Sequence, residues 1–190
     1  MTPDPSRYGW WLASRASGVV ALGLITTSVA IGLTMAGKVM RKPGMARKLT
    51  AIHEHTALAG LIAIAVHGIT LLGDRWMHPG VTGILVPFQM SYRPVFTGLG
   101  ILGGYLAMLL GLTFYARRRI GPRLWRKAHR ATVVVYVLAL VHVLGAGTDA
   151  GTPWLRGFML ATGLPIALLF VRRLVPRRRR RAAVPQEART

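Results

Sequence analysis

Charged and apolar residues are segregated along this chain into long alternating blocks. Five stretches, near residues 10–36, 49–72, 95–116, 128–147 and 154–171, are almost free of charge and too long for the core of a soluble domain. Each approaches or exceeds the ~20 residues that a helix needs to cross ~30 Å of hydrocarbon, so five membrane-spanning helices are predicted. The last stretch is the shortest, and Gly163 and Pro165 within it predict a kink. Lipid tolerates such a proline where neighbouring groups satisfy the freed carbonyl. Trp10 and Trp11 open the first span at the depth of a headgroup belt. Pro94 opens the third, where a first-turn proline loses no hydrogen bond. Between the second and third spans a loop of about 20 residues carries Pro79, Pro87 and an apolar patch from Ile84 to Phe88, predicted to lie against the membrane interface. No internal repeat enters this reading.

Composition agrees with the blocks: 52% of the residues are hydrophobic and 16% charged, against about a quarter charged in soluble domains. The net charge of +20 would ordinarily suggest nucleic acid, but its placement argues for a membrane. Lys38, Arg41, Lys42, Arg47 and Lys48 fill the first loop; seven cations from Arg117 to Arg130 fill the third; eight from Arg172 to Arg189 make the tail. Alternating spans put all of these on one side, opposite Asp4, Asp74 and Asp149. That asymmetry predicts an all-α integral membrane protein, about five transmembrane helices in one bundle, N-out and C-in. Residues 1–9 form an outer segment, 10–172 the membrane domain and 173–190 a basic, unfolded cytoplasmic tail resting on anionic lipid. No aromatic platform accompanies the arginines, so no nucleic-acid partner is expected. There is no cysteine, which excludes disulfides, thiolate metal sites and iron–sulfur clusters. The N-terminus lacks a basic n-region, so the first span is expected to stay in the membrane.

The chemistry points to the histidines. Five of six fall in the second and fourth spans: His53, His55, His67, His129 and His142. Ionisable residues inside a membrane are rare and default to a functional reading. His53 and His67 are 14 residues apart, His129 and His142 are 13 apart, so separations of roughly 21 and 20 Å place one member of each pair at two shared depths. Two neutral imidazoles facing each other across a bundle suit the axial positions of a six-coordinate heme iron. Two such sites would conduct electrons through the bilayer. Gly60, Gly68, Gly145 and Gly147 are the small residues expected beside the macrocycles. Fourteen residues return to within about 40° of one helix face, but thirteen miss by about 140°. The fourth span therefore needs an overwound stretch near His129, or one site must be offset sideways. Hydrogen-bonding core histidines are the structural alternative. His55 points nearly opposite to His53 and is read as structural or as a spare ligand; a zinc site from the two is excluded because i, i+2 side chains diverge. His78 is expected to be solvated in the outer loop. Arg15, an intramembrane charge, needs an anion: Asp74, Asp149 or a propionate of the outer heme. Arg93 is a second candidate for that propionate, with snorkelling as the alternative for both arginines. Arg126, Lys127 and Arg130 would suit the inner propionates.

At these residues the sequence resembles the ferric reductase-like transmembrane domain family, which includes ferric reductases, the membrane part of NADPH oxidases and the heme subunit of the bacterial periplasmic methionine sulfoxide reductase system. The resemblance spans roughly residues 10–172. It is carried by Trp11 through Gly18, the His53-to-His67 segment, Tyr92-Arg93-Pro94, the turn from Gly121 to Trp125, and His129 through His142 followed by Gly145 to Asp149. It implies two b hemes, with His53 paired to His129 and His67 to His142. It further implies electron transfer from a cytoplasmic-side donor to an outer acceptor such as ferric iron, in a bacterial plasma membrane. No flavin or nicotinamide domain follows in this chain, so a separate flavoreductase or a quinol is the expected donor. Two alternatives remain open. One is a heme subunit of a two-component reductase with an outer-face catalytic partner; the other is a heme-free structural or transport protein.

Overall fold

The structure is a computed structural model that describes residues 8–37 and 42–174. The first-loop cations Lys38 and Arg41, and the tail arginines from Arg177 onward, lie outside the described residues. Among the described residues there are seven helices: α1 (Gly9–Ala36), α2 (Met45–Leu71), α3 (Gly80–Leu85), α4 (Pro94–Ile120), α5 (Pro122–His129), α6 (Thr132–Ala146) and α7 (Pro153–Leu174). With α5 and α6 counted as one span, five helices among the described residues are long and apolar enough to cross a membrane. Ile69, Leu109, Leu112, Leu160, Leu164 and Leu168 are 61% to 65% exposed. Water would penalise such surface, whereas lipid accepts it.

The spans differ from expectation mainly at their ends. Helix α2 starts at Met45, four residues earlier than its apolar run, because Gly44 adopts φ +75° and turns the chain into the helix. His53 consequently lies more than two turns into α2, against about one turn from the start of the apolar run at residue 49. Helix α4 continues through Arg117, Arg118 and Arg119 before Gly121, at φ +91°, breaks it. The last span, α7, is the shortest at 22 residues, as expected, and carries Pro165 inside a continuous helix.

Helix α6 sits at the centre. Its Tyr136 packs with Val29 and Leu33 of α1 and Ile166 of α7. Val135, the neighbouring residue, packs with Ala107 and Leu110 of α4. A third cluster joins Leu22 of α1 to Leu155 and Met159 of α7. Helix α2 lies chiefly against α1, where small residues allow close approach: a Cβ added at Gly60 would lie 3.0 Å from Ile25.

The connection between α2 and α4 does more than cover the interface. Asp74 accepts from the backbone N–H of Trp76 at 2.8 Å and of Met77 at 3.3 Å. Helix α3 then folds over the bundle, with Ile84 against Gly68 and Phe88 against Gly98. The Tyr105 hydroxyl donates to the Leu85 carbonyl. Arg93, left-handed at φ +45°, caps the start of α4 and donates to the Gly145 carbonyl at the end of α6.

Candidate functional site

Two histidine pairs face each other between α2 and the α5–α6 span. Toward the end of the bundle where the basic loops gather, the rings of His53 and His129 have centroids 6.0 Å apart, with planes at 88°. Under α3, at the other end, His67 and His142 are 6.2 Å apart at 75°. Each pair lines its own cavity: about 260 Å³ at the basic end and about 500 Å³ under α3. The larger lies within the size range of cofactor sites. The two cavities share only Ile25 and Val135 among their lining residues.

The backbone between the histidines of the last pairings explains how thirteen residues serve. From Lys127 to Val134, the N–H groups of Arg130, Ala131, Val133 and Val134 reach back three residues rather than four, at 2.9 to 3.4 Å. Each such step turns about 120° instead of 100°, so this stretch supplies about 80° of the ~140° deficit. The overwinding expected near His129 is thus present, at the junction of α5 and α6.

Three of the four rings are held alike. His67 Nδ1 donates to the Ser14 carbonyl at 2.7 Å, His53 Nδ1 to the Ser28 carbonyl at 2.9 Å, and His142 Nδ1 to the Phe96 carbonyl at 2.9 Å. Four residues beyond each carbonyl stands a glycine. A Cβ on Gly18 would lie 3.0 Å from His67, on Gly32 3.3 Å from His53, and on Gly100 2.7 Å from His142 Cγ. The Ser14 and Ser28 hydroxyls add contacts of 3.1 Å to the same Nδ1 atoms. These carbonyls fix the tautomer with the proton on Nδ1, which leaves Nε2 available. Sequence reasoning missed the sockets. Their signal is the repeat of Ser-x-x-x-Gly, at Ser14–Gly18 and Ser28–Gly32, with the same 14-residue offset as His53 and His67.

The other expected residues divide. Arg15 takes Asp149, not Asp74, as its anion: Nε donates to Oδ2 at 2.6 Å and Nη2 to Oδ1. Its guanidinium also lies 5.1 Å from the Trp11 ring centre. Arg15 and Asp149 both line the larger cavity, whereas Arg93 does not. Arg126 and Arg130 line the smaller one, joined by Arg173 from α7, which composition had assigned to the tail; Lys127 is not among its lining residues. Gly68 and Gly147 line the larger cavity, but Gly60 packs on Ile25 and Gly145 on Phe96, so these two serve helix contact. His55 is exposed, with Nδ1 bonded to Ala51 of its own helix at 2.6 Å. His78 is exposed in the α2–α3 connection.

Among the described residues no cluster of three or more His, Cys, Asp or Glu side chains forms a cage for a bare metal ion. Paired imidazoles suffice only where the remaining ligands arrive with the metal. Residues 17–140 match the model of the family described as "Ferric reductase like transmembrane component". The chain belongs to this ferric reductase-like family. The match covers His53, His67 and His129 and ends two residues before His142. The ferric reductase-like assignment makes the chain a component of membrane electron transfer. No solved structure matches it.

Proposed function

We propose that this ferric reductase-like chain is a b-type diheme membrane protein, carrying electrons from a cytoplasmic-side flavoprotein or quinol to an outer-face acceptor such as ferric iron. The carrying observation is the spacing of the imidazole pairs. Two rings on opposite sides of one metal atom, with a metal–nitrogen bond of ~2.0 Å and a ring radius of ~1.1 Å, have centroids about 6.2 Å apart. The two pairs stand at 6.0 and 6.2 Å. Bound heme supplies one-electron chemistry at its iron.

The protein's own contributions follow from its residues. His53 with His129, and His67 with His142, would hold the heme iron through their ring nitrogens. The Ser14, Ser28 and Phe96 carbonyls orient three of the rings and raise their basicity through Nδ1. Arg126, Arg130 and Arg173 offer partners for carboxylates at the smaller cavity, and Arg15, already paired with Asp149, does so at the larger. Arg93 is assigned to joining α4 to α6 through Gly145. Positive charge at the end of the bundle nearest His53 and His129 supports a cytoplasmic placement of that end, in a bacterial plasma membrane.

Purified full-length protein, supplemented with heme, is expected to give two b hemes per chain in a pyridine hemochrome assay. In liposomes it should pass electrons from an enclosed reductant to external ferric chelate. Absence of a Soret band would sink the proposal.

A further inference from the structure

The fourth histidine is held differently from the other three. Fourteen residues beyond the Phe96–Gly100 socket, α4 carries Leu110 and Phe114. Where the glycine of a fourth socket would fall there is a phenylalanine. His129 Nδ1 is buried and has no hydrogen-bond partner among the described residues. Its ring instead stacks on Trp125, with centroids 4.8 Å apart and planes at 23°. Trp125 stands one turn earlier on α5, at the i, i+4 spacing that brings helical side chains together. Phe114 backs it from α4, with centroids 6.0 Å apart at 62°. Both Trp125 and His129 line the smaller cavity. His129 is also the last residue of α5 and lies inside the overwound stretch. Its backbone is thus the least regular of the four, and the ring most needs a second constraint.

We propose that Trp125 is the positioning residue of His129: ring stacking against an indole, backed by Phe114, takes the place of the carbonyl-and-glycine socket. This rests on the diheme reading. An imidazole fixed by stacking keeps its orientation, yet does not gain the basicity that a carbonyl on Nδ1–H confers. The smaller site is therefore asymmetric, with His53 the stronger and His129 the weaker donor.

The test compares Trp125→Leu with Trp125→Phe in purified full-length protein. Low-spin ferric EPR signals and hemochrome content are read together, and the inner signal is identified as the one lost in His53→Ala. Trp125→Leu should shift or abolish the inner signal, lower heme content toward one per chain and leave the outer signal in place. Trp125→Phe, which still stacks, should keep both. An unchanged inner signal in Trp125→Leu would overturn the proposal, as would equal loss of both signals or a Trp125→Phe that behaves like Trp125→Leu. A wild-type protein without heme would instead remove the diheme reading beneath it.

Discussion

The two sites are built from the same helices but are finished unequally. On the α1–α2 side they are near copies: a serine carbonyl and a glycine one turn later receive His67 at one depth and His53 at the other. On the α4–α6 side the copy fails. His142 finds a carbonyl and a glycine, whereas His129 finds an indole ring. The difference lies in register. Two uninterrupted helices offset by 14 residues return to nearly the same face, so one solution can be used twice. A spacing of 13 forces the overwound turn at Arg130–Val134 and leaves the second imidazole to be placed by other means. The site of His67 and His142 is also larger, roofed by α3 and flanked by the Arg15–Asp149 pair; in the proposed orientation it is the outer one.

The largest effects should come from the ligands themselves. His67→Ala and His142→Ala should each remove the outer heme alone, and His53→Ala and His129→Ala the inner, halving hemochrome content. Loss of different hemes within a pair would break the comparison. Next come the glycines, whose clearances differ. Gly100→Ala drives a methyl into the His142 ring and should empty the outer site. Gly18→Ala, at 3.0 Å, should weaken it, and Gly32→Ala, at 3.3 Å, should weaken the inner site least. Retention of each heme during thermal ramps reads this order, and a reversed order would refute the socket description. Arg15→Gln leaves Asp149 buried without its charged partner. Because the arginine side chain is 39% exposed, the loss should be about 1–3 kcal/mol rather than the full cost of breaking a buried pair. It should lower the melting of the outer site only. The smallest effect is expected from Tyr105→Phe, which releases the Leu85 carbonyl for ~0.5–1 kcal/mol. Faster hydrogen exchange across 80–90, with heme content unchanged, would mark it.

Much of this was legible in the sequence, for a physical reason. A run of apolar residues the thickness of a bilayer has few other fates, so all five spans were predicted with ends shifted by a few residues. The shared depths of the four histidines followed from rise per residue, and their pairing from the family resemblance. Their neighbours did not. Gly18, Gly32 and Gly100 act across helix interfaces; the Ser-x-x-x-Gly repeat within α1 marks the first two, but nothing within α4 distinguishes Gly100 from Gly104. Trp125 was hidden because its segment reads as an arginine-rich turn, although its position four residues before His129 was a usable clue. Helix α3, six residues long, is too short for any periodicity to announce it.

Ile25 and Val135 are the lining residues common to both cavities, and both side chains are branched hydrocarbon. Neither side chain can relay a proton or coordinate an ion, so an electron passing there between the proposed heme sites would gain no compensating charge from either. Such a traverse, in the proposed direction, would be electrogenic and driven outward by about 2.3 kcal/mol for every 100 mV of inside-negative potential. A chain of two branched aliphatic side chains would thereby couple reduction at the cell surface to the energised state of the membrane.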